Sequence, residues 1–157
     1  MAGATILTIT DAVCLFALGD TEPADWTDVA VEAFTCQVTT AQINATPNLN
    51  EVPATWCQPA TQVPAATSYA LDLAGLQDWT VAAGLSMFLL ANDAKPGWVQ
   101  LSMPTQDPGD PIATATVQVR YVAGSFGGAA GAPLTFEASF PVQGKPDVVA
   151  GTVPAGP

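Results

Sequence analysis

The chain has 157 residues, of which 49% are hydrophobic and only 11% charged, and its 14 acidic residues face three cations, Lys95, Arg120 and Lys145, for a formal net charge of −11. So few cations cannot neutralise a row of phosphates, which excludes tight binding to a DNA or RNA backbone. There is no histidine, so the commonest general base, the usual metal ligand and every Ser-His or Cys-His nucleophile pair are missing.

In chain order, Thr5–Thr10 and Val13–Leu18 read as strands interrupted at Asp11. That acid, with the lack of a basic leading segment, argues against a secretory signal. No run of about 18 uncharged apolar residues exists anywhere, so no transmembrane helix and no membrane partner are expected. Asp25 and Asp28 beside Trp26 form an acidic knot that reads better as a solvated loop than as a cation site. Phe34, Cys36 and Val38 alternate with Thr35, Gln37 and Thr39, the period of a half-buried strand.

From Asn44 to Ser68 the pattern changes. Four prolines (Pro47, Pro53, Pro59, Pro64) and one charge, Glu51, occupy this stretch together with Leu49, Val52, Trp56, Cys57 and Val63. Pro59 and Pro64 cannot serve an interior strand, because they lack the ladder N–H. A connection this long is uncommon in a compact domain unless it is functional or disordered, and its apolar content argues against disorder. We therefore expect an extended interaction loop over 44–68, with Leu49, Val52, Trp56 and Val63 at a subunit interface. The alternative is that Trp56 folds back as a lid over its own core.

Tyr69, Leu71 and Leu73 resume the alternation. In DWTVAAGLSMFLLAND, Val81, Leu85, Phe88 and Leu89 fall at i, i+4, i+7 and i+8, which predicts an amphipathic helix from about Trp79 to Leu90, N-capped by Asp78. It would run roughly 18 Å, enough to cover one face of a small sheet, and Gly84 within it suggests a close approach. Val99, Leu101 and Met103 then mark a strand. QDPGDP (106–111) lacks the ligand series of a calcium loop and reads as a turn. Val117, Val119 and Tyr121 form the next strand, and Leu134, Phe136, Ala138 and Phe140 the last. Between them GSFGGAAG (124–131) has no GK[ST] ending and leads into a strand, so it reads as a mobile link and not as a phosphate loop. A pairing with Val122 opposite Pro133 would set Gln118 across from Glu137 and Arg120 diagonal to it, a weak exposed ion pair. Residues 149–157 are expected to be a flexible tail. Cys14, Cys36 and Cys57 fit neither a disulfide framework nor a zinc pattern and are expected to be buried free thiols.

The fold class is thus mainly β, a β-sandwich or partly closed barrel with one flanking α-helix and a long Pro-rich loop, in a single domain over 1–157. No cofactor and no catalytic or metal site is expected, and the chain reads as a non-enzyme. A surface so poor in charge is expected to meet partners.

The order of these features, with LQDW leading into GLSMFLLAND, then WVQLSMP, ATVQVRYVAGSFGGAAG and LTFEASFPVQGKPDV, resembles the major tail proteins, or tail tube proteins, of long-tailed bacteriophages across about Thr35 to Val148. The resemblance implies a β-sandwich with a flanking helix. It also implies a homo-oligomer of hexameric rings, stacked into a virion tail tube through which DNA passes without specific binding. The implied partners are further copies and other tail proteins such as tape measure and terminator. In that family a long early loop reaches toward a neighbouring subunit, the place that 44–68 holds here. Gln118, Arg120 and Glu137 then become expected lumen-facing residues, since a lumen poor in cations lets DNA slide. The alternative class is a capsid decoration or adhesin-like β-sandwich, which shares the fold and acidity but forms trimers or monomers instead of open-ended stacks.

Overall fold

The computed structural model describes residues 13–28, 31–34, 37–78, 84–103 and 111–152. Their strands are β1 (Val13–Leu18), β2 (Glu32–Ala33), β3 (Val38–Thr46), β4 (Leu49–Val52), β5 (Thr61–Pro64), β6 (Ser68–Leu76), β7 (Pro96–Met103), β8 (Pro111–Arg120) and β9 (Thr135–Thr152), with one helix, α1 (Leu85–Ala91), between β6 and β7. Seven strands form one antiparallel sheet in the order β2-β1-β7-β8-β9-β6-β3, and β4 and β5 form a separate pair.

Alternation puts one residue in two on the inner face. Phe16 pairs with Val99, Val99 with Val117, Leu73 with Ala138 and Leu71 with Phe140, so one row of buried side chains runs across the ladders. Phe16, Phe34, Phe88 and Tyr121 meet ring to ring at 5.2–6.1 Å, and Tyr121 stands edge-on to Phe140. The Tyr121 hydroxyl donates to the Ala17 carbonyl at 2.7 Å, which satisfies the polar end of a buried ring. Beside it Cys14 is buried, and desolvation pushes its thiol up to about 12.

The sheet is curled but not closed. β2 lies at one edge and β3 at the other, yet Phe34 and Val38 are only four residues apart, a span of at most about 14 Å. The expected single strand through Phe34, Cys36 and Val38 is therefore two edges joined by a crossing: Gln37 N–H turns back onto the Phe34 carbonyl at 2.9 Å, while Cys36 lies outside the described residues. Gly75 permits this crossing, since a Cβ there would collide with the Gln37 carbonyl and the Phe136 ring.

The helix is shorter than its apolar stripe predicts. α1 starts at Leu85 instead of Trp79, with Gly84 at the N-cap in an extended conformation and not Asp78; residues 79–83 are outside the described set. The Leu85 N–H is satisfied at long range by the Gln37 side-chain carbonyl at 2.7 Å. Glycine is a poor interior helix residue but a tolerated cap, so the helix begins after it. Seven residues are too few to hold a helix alone, and Leu85, Leu89 and Phe88 anchor it on the core. Asn92 ends it, with both its backbone N–H and its side-chain amide donating to the Phe88 carbonyl.

Three further expectations are corrected. The expected extended loop over 44–68 is largely a β-ladder, since it continues the β3/β6 hairpin outward as β4/β5. The last strand runs to Thr152, pairing Ala150 with Ala113 and Thr152 with Pro111, so 149–152 belongs to the sheet and not to a flexible tail. Gln118 lies opposite Gln143, and Glu137 is opposite Ala74 of β6, so the Arg120–Glu137 cross-strand pair is absent from the ladder. The cause is that the chain stays alongside β9 past Arg120. Ser125 N–H donates to the Glu137 carbonyl at 3.1 Å, and Glu137 N–H donates to Ser125 Oγ at 3.0 Å. The turn therefore comes later than the sequence placed it.

Gly124 makes that register possible. Its φ is +76°, and a Cβ would stand 2.8 Å from the Glu137 carbonyl oxygen. Gly127 has φ +87° but open space around it. We predict that Gly127→Ala costs about 1 kcal/mol, the left-handed backbone penalty alone, while Gly124→Ala costs roughly 2–3 kcal/mol. Equal losses in chemical denaturation would contradict this placement of the link.

Candidate subunit interface

The hairpin β3/β6 ends with Thr46 opposite Ser68, and β4/β5 begins with Leu49 opposite Pro64. Asn48 stitches the two ladders together. Its carbonyl accepts the Ala65 N–H at 2.8 Å, and its amide donates to the Ala66 carbonyl at 2.7 Å. Beyond this joint the two strands run on to a bridge between Thr55 and Gln58, with Trp56 at the tip. At ~3.3 Å per residue, an extended ladder from Thr46 to Trp56 spans about 30 Å. Proline is tolerated because both strands of the arm are edges: Pro64 ends β5 without costing an interior hydrogen bond.

The arm has no covered face. Every residue of β4 and β5 is exposed. Leu49 sits opposite Pro64, while Val63 sits opposite Asn50 and Val52 opposite Thr61, so apolar groups point to both sides. Trp56 is 107% exposed, which rules out the alternative in which it folds back over its own core. Cys57 beside it is exposed too, a correction to the expectation of three buried thiols.

Exposed apolar side chains fall in several places: Leu49, Val52, Trp56 and Val63 on the arm, Val148 and Val149 on the second half of β9, Leu76 and Leu134 at the end of the β6/β9 ladder away from the arm, Val122 and Phe126 in the link, Leu18 at the end of β1, and Met87 and Leu90 on α1. The outer sheet face is polar. Thr40, Gln42, Asp72, Glu137 and Ser139, with Leu73, Ala74 and Ala138 between them, line a shallow depression there, where Asp72 accepts hydrogen bonds from Asn44 and Ser139. Gln118, Arg120 and Glu137 all fall on this polar face, by strand parity, but the structure does not bring them together as a unit. Gln118 donates to the Asp20 carbonyl at 3.3 Å and Arg120 to the Ala94 carbonyl at 2.9 Å.

Some residues that organise these surfaces gave no sequence signal. Gln77, almost fully buried, donates its side-chain amide to the Gly127 carbonyl at 3.1 Å and to the Thr135 carbonyl, while its own side-chain oxygen accepts the Gly127 N–H at 3.2 Å. It pins the glycine-rich link that sequence alone suggested was mobile. Asp93 likewise accepts the Ala123 N–H at 2.8 Å. The Asp25/Asp28 knot is a turn, as expected: Thr27 donates twice to the Asp25 carboxylate, which lowers its pKa. Among the described residues no group of three or more acidic or thiol ligands converges as a metal site; QDPGDP up to Asp110 lies outside them.

No protein-family model and no curated protein sequence matches the chain. Solved structures do. A chain from the virion of a native gene transfer agent particle superposes with TM-score 0.50 at 9% identity, covering 88% of this chain and 95% of that one. A chain from the tail of an empty gene transfer agent particle, refined with C6 symmetry, gives TM-score 0.52 at 10% identity over 88% and 96%. A chain from the sixfold-symmetrised baseplate of the anti-feeding prophage gives 0.54 at 12% identity over 94% and 97%. The molecule thus has a fold found in the tails and baseplates of these particles, nearly end to end.

Arg120 is exposed and bonds one backbone carbonyl, so we predict that Arg120→Gln changes folding stability by no more than about 1 kcal/mol. A loss of several kcal/mol in urea would show that the polar face is buried within the subunit.

Proposed function

We propose that the chain is a structural virion protein, without enzymatic activity, that assembles into stacked rings forming the tail tube of a phage or phage-like particle. The observation that carries this reading is the arm, a well-formed β-ladder with apolar groups on both faces and nothing of its own subunit over it. A two-stranded ladder is marginal by itself in water, and an exposed Trp, Leu and two Val are a poor solvent surface. Both facts have one remedy, which is contact with another copy. The shared fold supports the same reading, because two of the similar chains come from assemblies with sixfold symmetry.

In this proposal Leu49, Val52, Trp56 and Val63 are interface residues and the rings are hexamers. The polar sheet face carrying Gln118, Arg120 and Glu137 lines the lumen. Arg120 is one of three cations in the chain and shares its face with the carboxylates of Asp72 and Glu137, so the face offers DNA little net positive charge. Phosphates are repelled weakly and held nowhere, which suits passage. Tape measure and terminator proteins would meet the ends of such a tube.

Sedimentation across a concentration series with negative-stain microscopy tests the reading. We expect rings or tubes as concentration rises; a monomer at every concentration and salt would overturn it, and closed trimers without stacks would favour a capsid decoration role. Trp56→Ala should leave strand-rich circular dichroism and melting of the subunit unchanged. It should weaken association by about 2 kcal/mol or more per contact, about 30-fold. A destabilised Trp56→Ala subunit that still assembles would refute the role given to the arm.

A further inference from the structure

The ladder between β6 and β9 stops at Tyr69 opposite Val142. Beyond that point β3 and β6 run on into the arm, while β9 runs on beside β8 to Thr152. The two ladders part as a fork, and a cleft of about 290 Å³ lies in it, lined by Ile43, Ala45 and Tyr69 on one side and by Lys145, Pro146 and Val148 on the other. The second side is irregular strand. Gln143 pairs with Gln118 and Asp147 with Thr116, so residues 144–146 lie opposite Val117 alone, and Gly144 takes up the bend with φ +80°. A bulge re-aims side chains out of the regular pleat, and this one sets Lys145 in the wall of the cleft.

Lys145 differs from the other two cations. Arg120 donates to the Ala94 carbonyl and Lys95 to the Asn92 side-chain oxygen at 3.1 Å, whereas Lys145 has no hydrogen bond or ion pair with any described residue. It stays unpaired on a chain with 14 acidic residues. Tyr69, the other polar side chain of the lining, has no hydrogen-bond partner among the described residues either.

We propose that the fork binds an acidic side chain flanked by an apolar residue, presented by a segment of a protein other than this chain. Charge selects the acid. An ammonium and a phenol hydroxyl can both donate to a carboxylate, and such bonds gain from the apolar walls that Ile43, Ala45, Pro146 and Val148 supply. Val148, 61% exposed at the rim, offers contact to the flanking apolar residue. A formal charge of −11 repels further acids, so the segment carries that one and is otherwise neutral. Lysine, proline and a bulge on a strand edge discourage the addition of another sheet, which argues against a copy joining edge to edge here. None of the lining residues belongs to β4 or β5, so the site stands apart from the role given to the arm.

Carbodiimide coupling tests the site, because it joins an amine to a carboxylate held beside it and the chain has two lysines, Lys95 and Lys145. The probe is the peptide acetyl-Ala-Leu-Glu-Val-Ala-amide, added to the full chain, with attachment at each lysine counted by mass spectrometry and normalised to coupling of acetate. Lys145 should be favoured over Lys95 about fivefold, the margin of an exposed ion pair. Val148→Ser, a change at an exposed position that keeps the amine, should abolish that preference, as should replacing the leucine and valine of the peptide by serine. Equal attachment at the two lysines would overturn the proposal and leave Lys145 as a guard of the strand edge. The same preference shown by hexanoate would make the fork a site for a small free acid, and a peptide that blocks tube formation would give it to another copy; either result overturns the assignment to a different protein. If the chain forms no tubes at all while the peptide still favours Lys145, the tube reading fails and the site stands.

Discussion

The structure depends on one short crossing. Between Ala33 on one edge of the sheet and Val38 on the other the chain has four residues, so the sheet must curl until its edges nearly meet. That curl turns a single sheet with one apolar face into a container. Phe16, Phe34, Phe88, Tyr121 and Phe140 fill it ring against ring, and α1 needs only seven residues to plug what remains open. Gly75, which gives way to the Gln37 carbonyl, and Gln37 itself, which receives the Leu85 N–H, are small details with large leverage because they sit where the chain passes from one edge to the other.

With the core filled by these side chains, the outward hairpin is left exposed along all of β4 and β5. β3 and β6 are covered by the core along their inner residues, but past Thr46 and Ser68 the same two strands continue into solvent. The apolar content of β4 and β5 is therefore not a core that failed to form. In the proposed assembly it is the surface that another copy covers, and the low charge of the chain makes such a copy an acceptable partner. Among the described residues the acids sit mostly in turns and on the polar sheet face, an arrangement of negative charge that disfavours phosphate.

Much of the fold was legible because alternation is a strong signal where one face is fully buried. β1, β6, β7, β8 and β9 all follow their apolar positions, and the same residues (Val99, Leu101, Val117, Val119, Phe136, Phe140) line the core. What failed was register and ends. The Gly-rich link reads as a turn starting after Val122, but Ser125 stays bonded to β9 and Gly124 lies close against it, and only the fold brings Glu137 beside them. The helix start was misjudged because the partner that caps it, Gln37, is 48 residues away. The arm stands out in the sequence by its Pro and Trp content, yet prolines hid its ladder, since they forbid interior strands and say nothing against a free-standing pair. Gln77 was invisible: a lone Gln before Asp78 and Trp79 carries no pattern, and its role exists only because the link passes within reach.

The central claim is that the arm remains incomplete until another copy covers it, and hydrogen exchange of the peptide spanning residues 47–67 measures that directly. In dilute subunits its amides should exchange quickly, because a solvated two-stranded ladder opens readily, while peptides of β7, β8 and β9 stay protected. After assembly the same amides should slow by orders of magnitude, with the core peptides little changed. Equal exchange of the arm in both states, with new protection appearing elsewhere, would contradict the account.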